Sequence, residues 1–396
     1  MRSPRSPNRG TGGGSARSTL RPPRYTRGEA EIDFPLRSVH RHEQKKETSM
    51  QELTPAAATE GRIRSRWAVL PLMGVILAGP GCAEPPPGED PAEILPAARQ
   101  MFDTIQAFPA SFLDAPDVEL GRALFWDERL SRNGATSCAS CHTRENWGSD
   151  ARQLSIDARG ELTGRQSQTV FNSMAQRSIR WRGDRETGAE QAQGSIVGSM
   201  GMDDPEEMVE LMHELGYEGR FRAAFPDDPA PVSAENYGRA LEVYQSTLVT
   251  PAPFDEYLAG DPSALTDEQV EGLELFVSTG CGSCHGGKLL GGGAFQRFGI
   301  LEDYWTVTGS EEIDEGRYAV TGREEDRYVF RVPMLRNVVR TGPYFHDGSV
   351  ASLGEAVEIM ARVQLGRELD PVEVERITLF LESLTAEIPE GYSSPH

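Results

Sequence analysis

The feature that most constrains this chain is a five-residue pattern that occurs twice, as Cys138-Ala-Ser-Cys-His142 and as Cys281-Gly-Ser-Cys-His285. Two thiols at this spacing on the first turn of a helix can form thioethers to both vinyl groups of one haem, and the adjoining His then projects to the iron. The competing chemistries are a zinc site and a redox dithiol. Zinc would want further Cys or His close by, yet apart from Cys82 the two runs use every cysteine of the chain. The immediate His in both copies points to haem c. Cys138 and Cys141 are expected to hold one haem, with His142 on its iron, and Cys281 and Cys284 a second, with His285. The sixth ligand decides what each haem does, because methionine saturates the iron for electron transfer while an open position admits a small molecule. Eleven methionines leave that choice open on spacing alone.

Around the two motifs the pattern is helical. A short helix over 118–125 leads towards the first motif. Thr266-Asp-Glu-Gln269 has the form of a capping box and opens a helical stretch that carries Val270, Leu273 and Phe276 up to Gly280 and the second motif. Further helices are expected at 205–215, 234–249, 352–361 and 371–384, the last with Val374, Ile377, Phe380, Leu381 and Leu384 on one face. Residues 143–168 and 286–293 read as loops, and strand signal is slight. The expected fold class is mainly α: two cytochrome c-like haem domains packed across an interface, spanning 93–250 and 251–396.

The N-terminal region is of another kind. Residues 1–60 are rich in Arg, Ser, Pro and Gly and read as disordered or as a mis-assigned start, with Met50 an alternative initiator. Residues 61–82 have the grammar of an export signal: Arg62-Ile-Arg-Ser-Arg66, then an apolar run from Trp67 to Gly79, then Pro-Gly-Cys82. That run is too short to span a membrane. Cys82 stands where a lipoprotein carries its lipidated cysteine, and 83–92 would tether it to the folded body. The expected location is the periplasm or cell envelope. The net charge is −21, and residues 1–66 carry 14 Lys/Arg against 7 Asp/Glu, so the remainder is more acidic still. Such a surface disfavours nucleic acid and anionic lipid and suits a small basic redox partner.

Six stretches, in order along 118–392, resemble the bacterial di-haem cytochrome c peroxidase family, which also contains MauG-like enzymes. They are Leu120-Gly-Arg-Ala-Leu-Phe-Trp-Asp-Glu-Arg-Leu-Ser131, Thr136-Ser-Cys-Ala-Ser-Cys-His142, Thr169-Val-Phe-Asn172, Ala252-Pro-Phe-Asp-Glu-Tyr257, Tyr328-Val-Phe-Arg-Val-Pro-Met-Leu-Arg-Asn-Val338 and Gly342-Pro-Tyr-Phe-His-Asp-Gly348. The resemblance implies an electron-donating haem in the C-terminal half and peroxide reduction at the N-terminal one. It places Met360 as second axial ligand of the C-terminal haem, where MauG-like enzymes have tyrosine, and His346 between the haems as a hydrogen-bonding group. It also implies one Ca²⁺ held by Gln166, in place of the family's Asn, and by the carbonyls of Thr341 and Pro343. Trp181 is the candidate electron relay. Gln191 matches a family glutamine and is a second candidate catalytic residue. His213 reads as an ordinary helix side chain.

Two departures from the family pattern bear on reactivity. Ala158 stands where many members carry a histidine that caps the peroxide-binding iron, and no His lies between 142 and 213. The N-terminal haem is therefore expected to be open or water-bound without reductive activation. Gly201 stands at the position of the family's general acid–base glutamate, and glycine cannot transfer a proton. Glu190, Glu206 or Glu207 would have to substitute through a rearranged loop. The reading is a cytochrome-c peroxidase that reduces H₂O₂ with electrons from a small cytochrome c or cupredoxin, and that forms a homodimer. The alternatives are a MauG-like oxidase modifying a partner protein and a non-catalytic di-haem electron carrier or sensor.

Overall fold

The computed structural model describes residues 94–395. The leader, the tether and Cys82 lie outside the described residues. In chain order the helices are α1 (Ile94–Met101), α2 (Pro116–Trp126), α3 (Gly188–Val197), α4 (Pro205–Glu214), α5 (Glu218–Ala224), α6 (Ala234–Ser246), α7 (Pro253–Ala259), α8 (Asp267–Thr279), α9 (Trp305–Thr308), α10 (Tyr318–Thr321), α11 (Leu353–Leu365) and α12 (Pro371–Glu382). Strands β1 (Phe295–Arg297) and β2 (Val329–Arg331) pair antiparallel with Gln296 opposite Phe330. The protein is mainly α-helical.

Local chemistry sets the helix ends. Thr266 and Gln269 form the expected box at the start of α8, Thr266 Oγ1 accepting from the Gln269 N–H at 3.3 Å and Gln269 Oε1 from the Thr266 N–H at 3.1 Å. The helix stops at Gly280, whose φ of 104° suits a residue without a side chain. Asp370 and Glu373 form the same kind of box at α12, with Pro371 in the first turn. The helix expected over 352–361 runs on to Leu365, because nothing breaks it before Gly366. Helix α3 was not expected. Its sequence, Gly-Ala-Glu-Gln-Ala-Gln-Gly-Ser-Ile-Val, has little apolar periodicity, and only the Thr187 cap marks its start.

Each motif is preceded by a helix that crosses a later helix at a glycine. A Cβ on Gly121 of α2 would lie 2.0 Å from the Ala240 carbonyl oxygen on α6, and one on Gly272 of α8 would lie 1.9 Å from that of Arg376 on α12. Only glycine permits such backbone contact. The α2–α6 pair organises one apolar core with Phe125, Phe171, Tyr237 and Tyr244, and the α8–α12 pair a second with Phe254, Leu273, Phe276 and Phe380. A third cluster, around Phe298, Tyr304 and Phe330, packs on α11.

The two ends of the described chain exchange sides relative to the sequence boundary at 250/251. Ala98 and Phe102 belong to the core of the second motif, and Tyr392 to that of the first. Between the halves, Thr250 Oγ1 accepts from Asn172 Nδ2 at 2.7 Å and from Asn337 Nδ2 at 2.9 Å. Both asparagines sit in the left-handed region, which Asn tolerates best among residues with side chains.

Candidate functional site: two cysteine–histidine cavities

The two motifs fold alike. Each Cys-x-x-Cys forms one 3₁₀ turn (Cys138–Ser140 and Cys281–Ser283), and the following His is carried into the interior. His142 Nδ1 lies 2.9 Å from the Gly148 carbonyl oxygen and His285 Nδ1 lies 3.1 Å from that of Leu290. A carbonyl can only accept, so the proton sits on Nδ1 and Nε2 is left as a base, the tautomer needed of a metal ligand. Burial pushes both imidazoles below their ordinary range, with those carbonyl contacts opposing, so both are held neutral. Burial likewise pushes the Cys138 thiol up to about 12 and the Cys281 thiol up to about 11. A redox dithiol needs the opposite shift. Among the described residues no group of three or more His, Cys, Asp or Glu is placed to hold a metal ion, which leaves zinc without a ligand set.

The cavity at the first motif has a volume of about 420 Å³ and a polar wall. Cys138, Cys141 and His142 line it together with Gln166, Gln191 and a run of three arginines, Arg180, Arg182 and Arg185. His142 is its one histidine among the described residues. Its one methionine, Met174, places Sδ 2.3 Å from where a Gly188 Cβ would stand. The cavity at the second motif, about 100 Å³, is lined by Cys281, Cys284, His285 and a mostly apolar set that includes Phe298, Phe330, Val332 and Phe345. Met360, projecting from α11, lines that same cavity.

Trp181 lines both cavities. Its Nε1 donates to the Gln166 carbonyl oxygen at 2.9 Å, and its ring lies 6.4 Å from that of His346. His346 lines the second cavity, stacked on Phe330 at 4.4 Å. Its Nε2 is buried without a protein hydrogen-bond partner, 3.9 Å from Asp314 Oδ2, so the bond expected of its side chain is made to no protein group. Gln166 is buried, with its backbone N–H on the His346 carbonyl oxygen and its Nε2 on Ser149 Oγ. His213 is on the surface, paired with Glu218 at 2.9 Å.

The substitutes considered for the missing glutamate do not reach the first cavity. Glu190 and Glu207 are exposed and accept the N–H groups of Glu186 and Asp203, and Glu206 is also exposed. Gly201 is buried with φ at +79°, and a Cβ there would meet the Ala158 Cβ at 3.2 Å. A glutamate would be strained in this backbone, and Ala158 and Gly201 pack on each other.

Sequence reasoning missed Arg331, which is fully buried. Its Nη2 donates to Gln168 at 2.8 Å and its Nη1 to Gln176, its Nε to the Arg180 carbonyl oxygen, and no carboxylate pairs with it. Desolvation pushes it down to about 10. The signal was present, since an Arg between Phe330 and Val332 puts a charge inside an apolar run, and buried charge is rare unless paired. Arg331 and His346 both line the second cavity. An unpaired buried guanidinium and an orphaned imidazole nitrogen fit the propionates of a haem. Free thiols, neutral imidazoles and these two groups together fit the prosthetic group that the motifs imply.

The arrangement is that of a c-type cytochrome with two haem sites. Residues 115–263 match the family model described as di-haem cytochrome c peroxidase. The chain is 43% identical to the cytochrome c551 peroxidase of Pseudomonas aeruginosa over 276 residues, covering 68% of this chain and 79% of the relative. It is 38% identical to the cytochrome c551 peroxidase of Nitrosomonas europaea over 297 residues, covering 74% and 86%. Among solved structures, a MauG-like protein associated with microbial copper homeostasis superposes with a TM-score of 0.64 at 28% identity, covering 73% of this chain and 96% of that one. This chain belongs to the di-haem cytochrome c peroxidase family. It is a peroxidase-type oxidoreductase with two c-type haems that acts on hydrogen peroxide.

Proposed function

We propose that peroxide is reduced on the Cys138/Cys141 side and that electrons enter from a small redox protein on the Cys281/Cys284 side. The asymmetry of the two cavities carries this reading: Met360 shares one cavity with His285, whereas the other offers polar side chains around His142. The haems supply the redox chemistry, storing and releasing the two electrons that the reaction consumes. His142 and His285 supply Nε2 to the irons, each ring fixed through Nδ1 by a backbone carbonyl. Met360 is the second axial ligand on its side. Trp181, on the wall of both cavities, is the aromatic link between them. Gln191, at the start of α3, orients peroxide by hydrogen bonding.

The finer architecture belongs to the same proposal. The helix pairs α2–α6 and α8–α12, each beside its own motif, are the centres of two cytochrome c-like domains. Gln166, whose Nε2 is committed to Ser149, keeps Oε1 for a Ca²⁺ ion shared with the carbonyls of Thr341 and Pro343. Export, lipidation at Cys82 and a homodimer complete the reading. Among the described residues no helix is long and apolar enough to cross a membrane.

The test is stopped-flow absorbance of the di-haem protein mixed with H₂O₂, in the fully oxidised and the half-reduced state. Rapid reaction in both states, followed by turnover with a reduced small cytochrome, is the expected result. Reaction only after reduction would sink the open-site part of the proposal, and silence in both states would sink the whole.

A further inference from the structure

The chain between α3 and α4, from Val197 to Met202, forms part of the wall of the first cavity through Gly198 and Ser199. Its N–H groups turn inward: Gly198 donates to Gly194, Met200 to Ser195 and Met202 to Ile196. Backbone carbonyls need donors too, and an irregular loop cannot supply them all itself. Here every carbonyl from Val197 to Met202 finds a donor in two other segments. Arg159 Nη1 donates to Val197 at 3.0 Å and to Gly198 at 3.1 Å, and Arg159 Nη2 to Met202 at 2.9 Å. The Ala158 N–H donates to Ser199 at 2.9 Å and the Arg132 N–H to Met200 at 3.0 Å. Arg132 Nη1 donates to Gly201 at 3.0 Å.

The stems of the same two arginines fill the space beside the loop. A Cβ on Gly201 would meet the Ala158 Cβ at 3.2 Å, the Arg132 Cβ at 3.3 Å and the Arg159 Cγ at 3.5 Å. Arg159 is itself anchored. Asp157 Oδ1 accepts its N–H at 2.8 Å and that of Glu161 at 2.9 Å, and Asp157 Oδ2 lies 4.0 Å from its guanidinium. Asp203, at the far end of the loop, pairs with Arg132. Both arginines stand behind the cavity wall rather than on it. A guanidinium presents its donors in a rigid planar fork, so three carbonyls on Arg159 fit together in one loop conformation only.

We infer that Arg159, backed by Arg132, holds residues 197–202 as a fixed wall of the first cavity, so that a small ligand enters without the loop moving. Arg159 is then a positioning residue for the peroxide reaction: it touches no reactant and acts through Gly198 and Ser199. The inference rests on the reading that peroxide is reduced in this cavity. A wall free to move would impose its own opening rate on every ligand, whatever that ligand's chemistry. A wall held at six carbonyls leaves encounter alone to set the rate.

Cyanide tests this without turnover. In the unmutated, fully oxidised di-haem protein, its observed binding rate should rise in proportion to concentration with no plateau, a measurement that depends on no variant folding. Arg159→Ala should introduce a plateau or a second phase and slow both cyanide binding and the peroxide reaction by about 10–10²-fold. Amide hydrogen exchange over 197–202 should quicken in that variant, while exchange in α8 and α12 and the haem content stay unchanged. Added guanidinium ion, at concentrations far below denaturing, should restore part of the rate by filling the emptied place, which a general loss of stability would not allow. A plateau in the unmutated protein would overturn the inference. So would Arg159→Ala rates that rise or stay within about threefold, with exchange unchanged; either result leaves the peroxidase reading standing. The opposite case is separable: proportional cyanide binding that Arg159→Ala disrupts, in a protein that leaves peroxide intact, would overturn the peroxidase reading and keep Arg159 as the holder of the wall.

Discussion

The two cavities share their entry wall and differ in the wall that faces it. Both are entered through a helix crossed at a glycine, a 3₁₀ turn bearing two thiols, and a histidine fixed through Nδ1 by a carbonyl a few residues on. Beyond that point one is closed by Phe298, Phe330, Phe345 and Met360, the other by arginines, glutamines and Asp184. An apolar wall with a thioether favours a saturated iron that exchanges electrons with little rearrangement. A roomy polar wall admits water and peroxide and can move protons. The motif therefore determines that a haem is held, and the opposing wall determines what the haem is used for.

The comparison can be broken most severely at the histidines. His142→Gly should abolish the reaction with peroxide, a loss of at least about 10³-fold, while the absorption spectrum of the second site survives; paired absorption and stopped-flow measurements check both halves of that statement. Met360→His should lower the midpoint potential of the second site by a few tenths of a volt, part of the roughly 0.8 V range that axial ligands span, and redox titration reads it directly. The shared entry wall makes a symmetrical claim. Gly121→Val and Gly272→Val should each cost about 3 kcal/mol or more by forcing apart helices in backbone contact, seen as lower denaturation midpoints, and a large difference between them would break the parallel.

A smaller effect separates the cavities by pH. Burial lowers the pKa of His346 below the ordinary imidazole range, with Asp347 and Asp314 opposing. The unfolded chain takes up a proton that the folded chain does not, so stability falls as pH drops through about 6.5 and below. His346→Gln should flatten that part of the acid limb between pH 7 and pH 5, read from melts across that window.

Much of this was legible because it is local. Thr266–Gln269, Asp370–Glu373 and the Cys-x-x-Cys-His runs carry their instructions within a few residues, and the structure uses them as written. Trp181 was found through a resemblance, but only three-dimensional packing puts it on the wall of both cavities. Helix α3 escaped because the face it turns to the cavity carries Gln191, Gly194 and Ser195, which erases the apolar stripe that periodicity detects. What the sequence could not show is that Asp184, three residues after Trp181, has its Oδ2 occupied by arginines and its Oδ1 by no protein group. Arg331 was hidden for a related reason: its partners, Gln168 and Gln176, lie about 160 residues away.

The exchanged ends bear on the order in which the molecule is made. Residues 386–393 pack behind the first motif: Tyr392 donates to the His142 carbonyl oxygen, Trp147 Nε1 holds the Ala386 carbonyl oxygen at 2.9 Å, and Arg122 holds that of Ser393 at 2.9 Å. The first described helix, in turn, packs against Phe254 and Phe276 of the second core. A chain emerging from its N-terminus therefore presents the first thiol pair long before the residues that cover it have been synthesised. Cutting the gene between codons 250 and 251 would leave the first fragment without Tyr392 behind His142 and the second without Ala98, Phe102 and Trp181, and only their co-expression should give a protein that keeps both haems in place.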